Sequence, residues 1–273
     1  MLIQITNMCH EGCRHCLQAS TPNGEHMTFD TFKNAVKFGL FLKIQTFVIS
    51  GGEPTEHPQL LEFCQWLDKY LGKTKTAFTI TSNGTWYPEK KDQIAKLASL
   101  RHYVGMQVYT NKQWYKDYDF IMSHRLDFEQ MGKMVFDSEP IFMQDLGRAR
   151  GDEEAQKCVS ENPYHMSCLN GHLLARQSPF PKDFGKFAFS SMRSCKPCVD
   201  YQGNVHLSES RLCPSFGNVS TDMMLTIFKS MKESKPCLQC RLGRKFAEST
   251  DLMICKAKAV LGIPLVSTEN TQI

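Results

Sequence analysis

Cys9, Cys13 and Cys16 are spaced C-x3-C-x2-C in the segment CHEGCRHC. Three thiolates on one tight loop can each bind an iron at one face of a cubane. A [4Fe–4S] cluster held wholly by protein takes four thiolates, and the next cysteine in the chain is Cys64. The fourth iron would then be open to an outside ligand, which separates a catalytic metal site from a closed one. Gly12 is expected to relieve crowding within the loop. A zinc knuckle completed by His10 or His15 is the competing chemistry, and a group of unligated thiols is the third possibility.

A second group of cysteines lies near the other end. Cys195-x2-Cys198 and Cys237-x2-Cys240 form a CxxC…CxxC pair, with Cys213 between them. One reading is a closed tetrahedral zinc site that holds a small domain together. The other is an auxiliary iron–sulfur cluster. Spacing does not settle which four of the five cysteines bind. Cys64, Cys158, Cys168 and Cys255 stand alone, and Cys64, in the apolar helical pattern LLEFCQWL, reads as a small buried hydrophobe.

The segments around these residues alternate between two periods. LIQIT (2–6) reads as a short buried strand running into the cysteine loop. Residues 28–43 place apolar side chains at helical spacing, with Thr28 as N-cap. TFVIS (46–50) is a β-branched strand ending in Gly51-Gly52, and HPQLLEFCQWLDKYLG is again helical. FTITS (78–82) predicts a strand, PEKKDQIAKLASL a helix with proline at its start, and YVGMQVY a strand. Residues 112–135 are harder to assign, although MVFD and PIFMQD can supply a further strand. Strands alternating with helices of this length indicate βαβ units and a parallel sheet. Around 150–190 the pattern weakens, which places a domain boundary there: a core over 1–190 and a cysteine-rich region over 191–273. Within the latter, VDYQGNVHL reads as a hairpin.

Composition narrows the classes further. With 273 residues the chain can bury a substantial core. A net charge of +4, without a Lys/Arg block, weighs against nucleic acid as partner. No apolar run approaches the ~20 residues of a membrane span, and the first residues lack the pattern of a signal peptide. Twelve cysteines in a chain of this length, clustered rather than scattered, fit metal binding in a reducing compartment better than a disulfide framework. The expected location is the cytoplasm.

C-x3-C-x2-C after the first strand, with an aromatic residue (His15) just before the last cysteine, resembles the signature of the radical SAM superfamily. The resemblance implies that Cys9, Cys13 and Cys16 bind three irons and that the amino and carboxylate groups of S-adenosylmethionine chelate the fourth. One electron from the cluster then breaks the sulfonium C–S bond, and the 5′-deoxyadenosyl radical abstracts hydrogen from substrate. SGGEPT (50–55), one βα unit later, resembles the family's GGE motif and makes Gly51, Gly52, Glu53 and Pro54 cofactor-binding candidates. The glycines would let the backbone approach the ligand closely, and Glu53 would accept hydrogen bonds from the methionyl ammonium. In TSNGT (81–85), Ser82 and Asn83 are candidates to face the ribose. GRARG (147–151) resembles a Gly-Arg-Ala element, so Arg148 is a candidate for the carboxylate, against the alternative of a surface arginine. Gln107 at the end of the fourth strand is one more. The implied fold is α/β: a partial (β/α)6 TIM-like barrel, with its site at the C-terminal ends of the strands.

The cysteine-rich region carries a further resemblance. CVDYQGNVHL…RLCPSFGNVS followed by CLQC is similar to the SPASM or twitch extension of that family. Ser208 stands where that pattern has a cysteine, and the further cysteines after CLQC are missing unless distant Cys255 joins, so one auxiliary cluster is expected rather than two. The resemblance implies a peptide or protein substrate, and an electron donor such as flavodoxin or ferredoxin. Since the cysteine loop starts at residue 9, the substrate is expected to be delivered by a partner. The same chemistry on a small molecule or an RNA base is the alternative. A non-enzymatic iron–sulfur or zinc scaffold, or an electron carrier, is the reading from a different class, and it leaves the GGEP turn without a role.

Overall fold

The computed structural model describes residues 1–137, 147–158, 197–206 and 215–233. These belong to a compact unit built from Met1–Ser160 and Lys196–Ser234. Its centre is a seven-stranded sheet. The strands are β1 (Leu2–Gln4), β2 (Thr46–Ser50), β3 (Ala77–Ser82), β4 (Tyr103–Tyr109), β5 (Met134–Asp137), β6 (Cys198–Val199) and β7 (Val205–His206). They lie in the order β5-β4-β3-β2-β1-β6-β7. Every neighbouring pair is parallel except β6 with β7. β5 and β7 form the edges, so the sheet is not closed.

Among the described residues the helices are α1 (Phe29–Phe41), α2 (Leu60–Leu71), α3 (Lys91–Ala95), α4 (Tyr118–Ser123), α5 (Arg125–Gln130), α6 (Glu153–Lys157) and α7 (Met224–Glu233). Thr28 caps α1 as its sequence predicts, accepting the Thr31 N–H at 3.2 Å. The period-2 alternation of the strands turns Phe47, Ile49, Phe78, Ile80 and Met106 onto one face. There they pack with Phe32, Val36 and Phe38 of α1 and with Phe63, Cys64 and Leu67 of α2. Each such side chain contributes about 1.5–3 kcal/mol on leaving water. Cys64 is therefore the core residue expected of it.

The alternate positions carry polar groups on the other face. Gln4 aligns with Ser50 and Thr81 with Gln107, and Thr81 Oγ1 donates to Ser50 Oγ at 2.9 Å. A parallel sheet with one apolar face and one polar face brings the C-terminal strand ends to a common rim. That rim carries the loops after β1, β2 and β3.

Two local expectations differ from the structure. The helix predicted over PEKKDQIAKLASL is broken into α3 and a 3-10 turn at Lys96–Ser99. Pro88 lies before α3, after a cis peptide with Tyr87, rather than opening the helix. Residues 86–90 instead form a turn, closed by Lys90 N–H to Trp86 O at 2.9 Å, which leaves Trp86 buried against Phe128. In the segment that was hard to assign, MVFD is β5, while PIFMQD lies outside the described residues. The predicted hairpin is present as β6 and β7, and β6 continues the sheet beside β1. No helix among the described residues is long and apolar enough to cross a membrane.

Candidate metal and cofactor site

β1 runs into the cysteine loop, β2 into Gly51-Gly52-Glu53 and β3 into Ser82-Asn83. Because β1, β2 and β3 are adjacent and parallel, these three loops leave the sheet side by side. The glycines make the first junction. Gly52 N–H donates to Thr6 O and Glu53 N–H to Met8 O, both at 2.8 Å. A Cβ on Gly51 would sit 2.4 Å from Thr6 O, and one on Gly52 2.3 Å from Met8 O. The close approach that these glycines permit in this structure is thus to the backbone just ahead of Cys9.

Glu53 makes the second junction. It is 1% exposed. Its Oε1 accepts from Thr55 N (3.1 Å), Thr55 Oγ1 (2.7 Å) and Ser82 Oγ (2.9 Å), and its Oε2 from Asn83 N (2.7 Å). Burial pushes its pKa up, and the hydrogen bonds from Asn83, Thr55 and Ser82 oppose that shift. Pro54 opens the short 3-10 turn Pro54–Glu56 that Glu53 caps.

Cys9 and Cys13 are desolvated and feel their neighbouring thiols. Burial is the main reason that Cys9 is raised to about 11 and Cys13 well above its ordinary value. Cys16 adds to both shifts, and Cys9 adds to that of Cys13. Among the described residues, no three His, Cys, Asp or Glu side chains are gathered tightly enough to hold a single metal ion. The cysteines of a cubane bind three different irons rather than one, and the donors here suit it: three thiols on one loop, two of them desolvated. Neither histidine offered for zinc is drawn to them. His10 Nδ1 pairs with Glu56 Oε1 at 3.1 Å, and His15 packs against Trp114 and Tyr115. Burial, then the Arg148 charge, lowers His15 to about 4. Gly12 has φ +71° and open space around a Cβ, so its contribution is conformational rather than relief of crowding.

Two later segments clamp the loop. Arg148 donates from Nε to Cys13 O (2.9 Å), from Nη1 to Ser20 O (2.9 Å) and from its backbone N–H to Cys16 O (3.1 Å). It is neither a surface arginine nor fully engaged, because its Nη2 is buried without a partner. Next to it, Gly147 (φ +55°) has no room for a Cβ, which would lie 2.2 Å from Cys16 O. The other clamp is residues 111–116. Lys116 N–H donates to Glu11 Oε1 (2.9 Å) and Lys116 Nζ to His10 O (3.0 Å). Burial, then the nearby Asp117 carboxyl, raises Glu11 to about 7. A cleft of about 480 Å³ lies along this seam, lined by residues that include Glu11, Cys13, Trp114 and Tyr115. Sequence reasoning missed Glu11, Trp114, Tyr115 and Lys116. The one signal for them is an acidic residue inside the cysteine motif.

Of the residues predicted to bind cofactor, Gly51, Gly52, Glu53, Pro54, Ser82, Asn83 and Arg148 are thus tied to the cysteine loop or to one another. Gln107 stands further along the polar face, in register with Thr81. Of the second cysteine group only Cys198 is described. It is buried in β6, paired with His206 across the hairpin. Cys195, Cys213, Cys237 and Cys240 lie outside the described residues, as do Cys168, Ser208 and Cys255.

Residues 3–131 match the family model described as the Radical SAM superfamily. Over 105 residues the chain is 33% identical to a GTP 3′,8-cyclase of Alkaliphilus oremlandii, a match covering 37% of this chain and 32% of that protein. The matched stretch therefore spans about a third of that relative's length. Among solved structures, the fold is similar to that of SuiB from Streptococcus suis bound to S-adenosylmethionine. That likeness has a TM-score of 0.52 over 90% of this chain and 71% of that one, at 11% identity. SuiB bound to its precursor peptide SuiA superposes equally, at TM-score 0.52 and 12% identity, over 90% and 70% of the two chains. At such identities the likeness is one of fold.

Proposed function

We propose, on the premise that residues 3–131 form a radical SAM domain, that this chain is a radical SAM enzyme acting on a peptide or protein side chain. The observation that carries the reading is the joining of Cys9, Cys13 and Cys16 on one loop to the Gly51-Gly52-Glu53 turn. Bound there, a [4Fe–4S] cluster and S-adenosylmethionine supply reductive C–S cleavage and a 5′-deoxyadenosyl radical that takes hydrogen from substrate.

The chain's own residues hold, orient and shield. Cys9, Cys13 and Cys16 are the cluster ligands. Gly51, Gly52, Glu53 and Pro54 form the turn beside the amino group, where Glu53 Oε2, which accepts from Asn83 N, can take another donor. Arg148 offers its unpartnered Nη2 to the carboxylate. Ser82, Asn83 and Gln107 border the nucleoside side. Strands β1 to β5 of the open sheet correspond to part of a (β/α)6 barrel over 1–190, and β6 and β7 from the following region continue it beside β1. Residues 191–273 are the cysteine-rich extension, with one auxiliary cluster on four of Cys195, Cys198, Cys213, Cys237 and Cys240. A reduced flavodoxin or ferredoxin is the electron donor. Clustered thiols support a cytoplasmic location.

The peptide substrate is supported by the likeness to a fold that binds a precursor peptide in SuiB. A small-molecule substrate is the second reading, favoured by the identity to a GTP 3′,8-cyclase. The deciding experiment is anaerobic reconstitution with iron and sulfide, reduction by dithionite, addition of S-adenosylmethionine and assay of 5′-deoxyadenosine. Product from wild type but not from Cys13→Ala is the expected result. Iron lost from Cys237→Ala supports the auxiliary cluster. Wild-type protein that binds iron and never cleaves S-adenosylmethionine, with candidate peptides present, would return the chain to the scaffold class.

A further inference from the structure

The side-chain amide of Asn83 is aimed at the sulfur of Cys9. Asn83 Nδ2 lies 3.7 Å from Cys9 Sγ, and the two residues are 8% and 7% exposed. The amide cannot be turned the other way. Its Oδ1 accepts the Thr85 N–H at 3.0 Å and the Thr85 hydroxyl at 2.7 Å. A backbone N–H can only donate, so a flipped amide would set its own NH2 against that donor. The nitrogen is therefore the atom that faces sulfur. The backbone is held as well, since Asn83 N–H donates to Glu53 Oε2 at 2.7 Å.

We propose that Asn83 donates an N–H···S hydrogen bond to Cys9 and so tunes the reduction potential of the cluster that Cys9, Cys13 and Cys16 carry. The inference rests on the radical SAM reading and adds to the ribose contact expected of Asn83. Reduction brings in one electron from a reduced one-electron carrier, with no bond made or broken, and part of the added charge is shared onto the cysteine sulfurs. A donor pointed at one sulfur stabilises the more negative state more strongly, and hydrogen bonds to sulfur are among the determinants of cluster potential. Removing the donor makes the cluster harder to reduce. Glu53 acts one step away, as the positioning residue that fixes the Asn83 backbone.

The test uses the full chain, reconstituted anaerobically, as wild type, Asn83→Ala and Asn83→Asp. Asn83→Asp keeps the acceptor for Thr85 while replacing the donor by a carboxylate, whose charge displaces the midpoint further. Asn83→Ala therefore carries the size of the effect, and Asn83→Asp guards against a fold that fails in Asn83→Ala. The readouts are iron content, the midpoint potential from a dye-mediated titration followed by electron paramagnetic resonance, and the shift of the Fe–S(Cys) stretching bands on transfer to D2O. The expected result is wild-type iron content, a midpoint displaced to more negative values in both variants, and a smaller D2O shift. Fully loaded variants with the wild-type midpoint and D2O shift would overturn the inference. So would folded variants that take up no iron, which would assign Asn83 to cluster assembly. Wild-type protein without a cluster would overturn it together with the reading on which it rests.

Discussion

The carboxylate of Glu53 accepts the backbone N–H of Asn83 at 2.7 Å, across thirty positions of sequence. Through that bond the loop after β2 holds the loop after β3. The Glu53 N–H on Met8 O ties the same residue to the loop after β1. Glu53 is thus the point where the three strand ends are joined, independent of any ligand.

Replacing Glu53 by glutamine keeps its size but sets an NH2 group against donors. Hydrogen bonds to a charged group contribute about 1.5–3 kcal/mol each, and at least one is lost or reversed. Urea unfolding of the metal-free protein is expected to show Glu53→Gln destabilised by about 2 kcal/mol. An unchanged unfolding midpoint would mean that the carboxylate serves a ligand only.

Arg148→Ala removes the two side-chain donors on Cys13 O and Ser20 O. Leaving such carbonyls unpaired costs about 1–3 kcal/mol each where they are buried. The expected outcome is a cysteine loop cut sooner in limited proteolysis and a faster loss of iron to a chelator. Arg148→Lys, which cannot span both carbonyls, is expected to restore little of either.

Gly52→Ala places a methyl group 2.3 Å from Met8 O, against backbone that cannot swing aside. Overpacking of this kind costs about 1–3 kcal/mol. Thermal unfolding is expected at a clearly lower temperature than for wild type. An alanine at exposed Gly151, where nothing lies within 4 Å of the added methyl, serves as the neutral control.

Acid should weaken the fold through His57. Its Nδ1 accepts from Gln59 N (3.0 Å) and its Nε2 donates to Met27 O (2.9 Å), so the buried ring is neutral. Burial lowers its pKa from the ordinary 6.5. The unfolded chain then binds the proton more readily, and stability falls as pH drops below about 6.5. Urea midpoints measured between neutral and mildly acidic pH are expected to decline less in His57→Gln. Equal slopes in the two proteins would count against this assignment.

Much of the scaffold could be read from local pattern. α1 with its Thr28 cap, the strands of TFVIS and YVGMQVY and the buried Cys64 follow from apolar periodicity, which the tertiary structure does not override. The helix over PEKKDQIAKLASL is where it does. Burying Trp86 against Phe128 requires a turn there, and local propensity holds no information about that contact.

For the site, the chain itself determined the chemistry: three thiols at a spacing one loop can present, and a Gly-Gly-Glu turn one βα unit later. Only the tertiary structure decided what those residues touch. Gly51 and Gly52 abut the backbone of residues 6–8, Arg148 clamps Cys13 and Ser20, and the Asn83 amide turns to Cys9. Each of these contacts joins segments brought together by parallel strand pairing or by the packing of a later loop. Residue types and spacing specify what a group is able to do, whereas its partner depends on distances that exist only once the chain has folded.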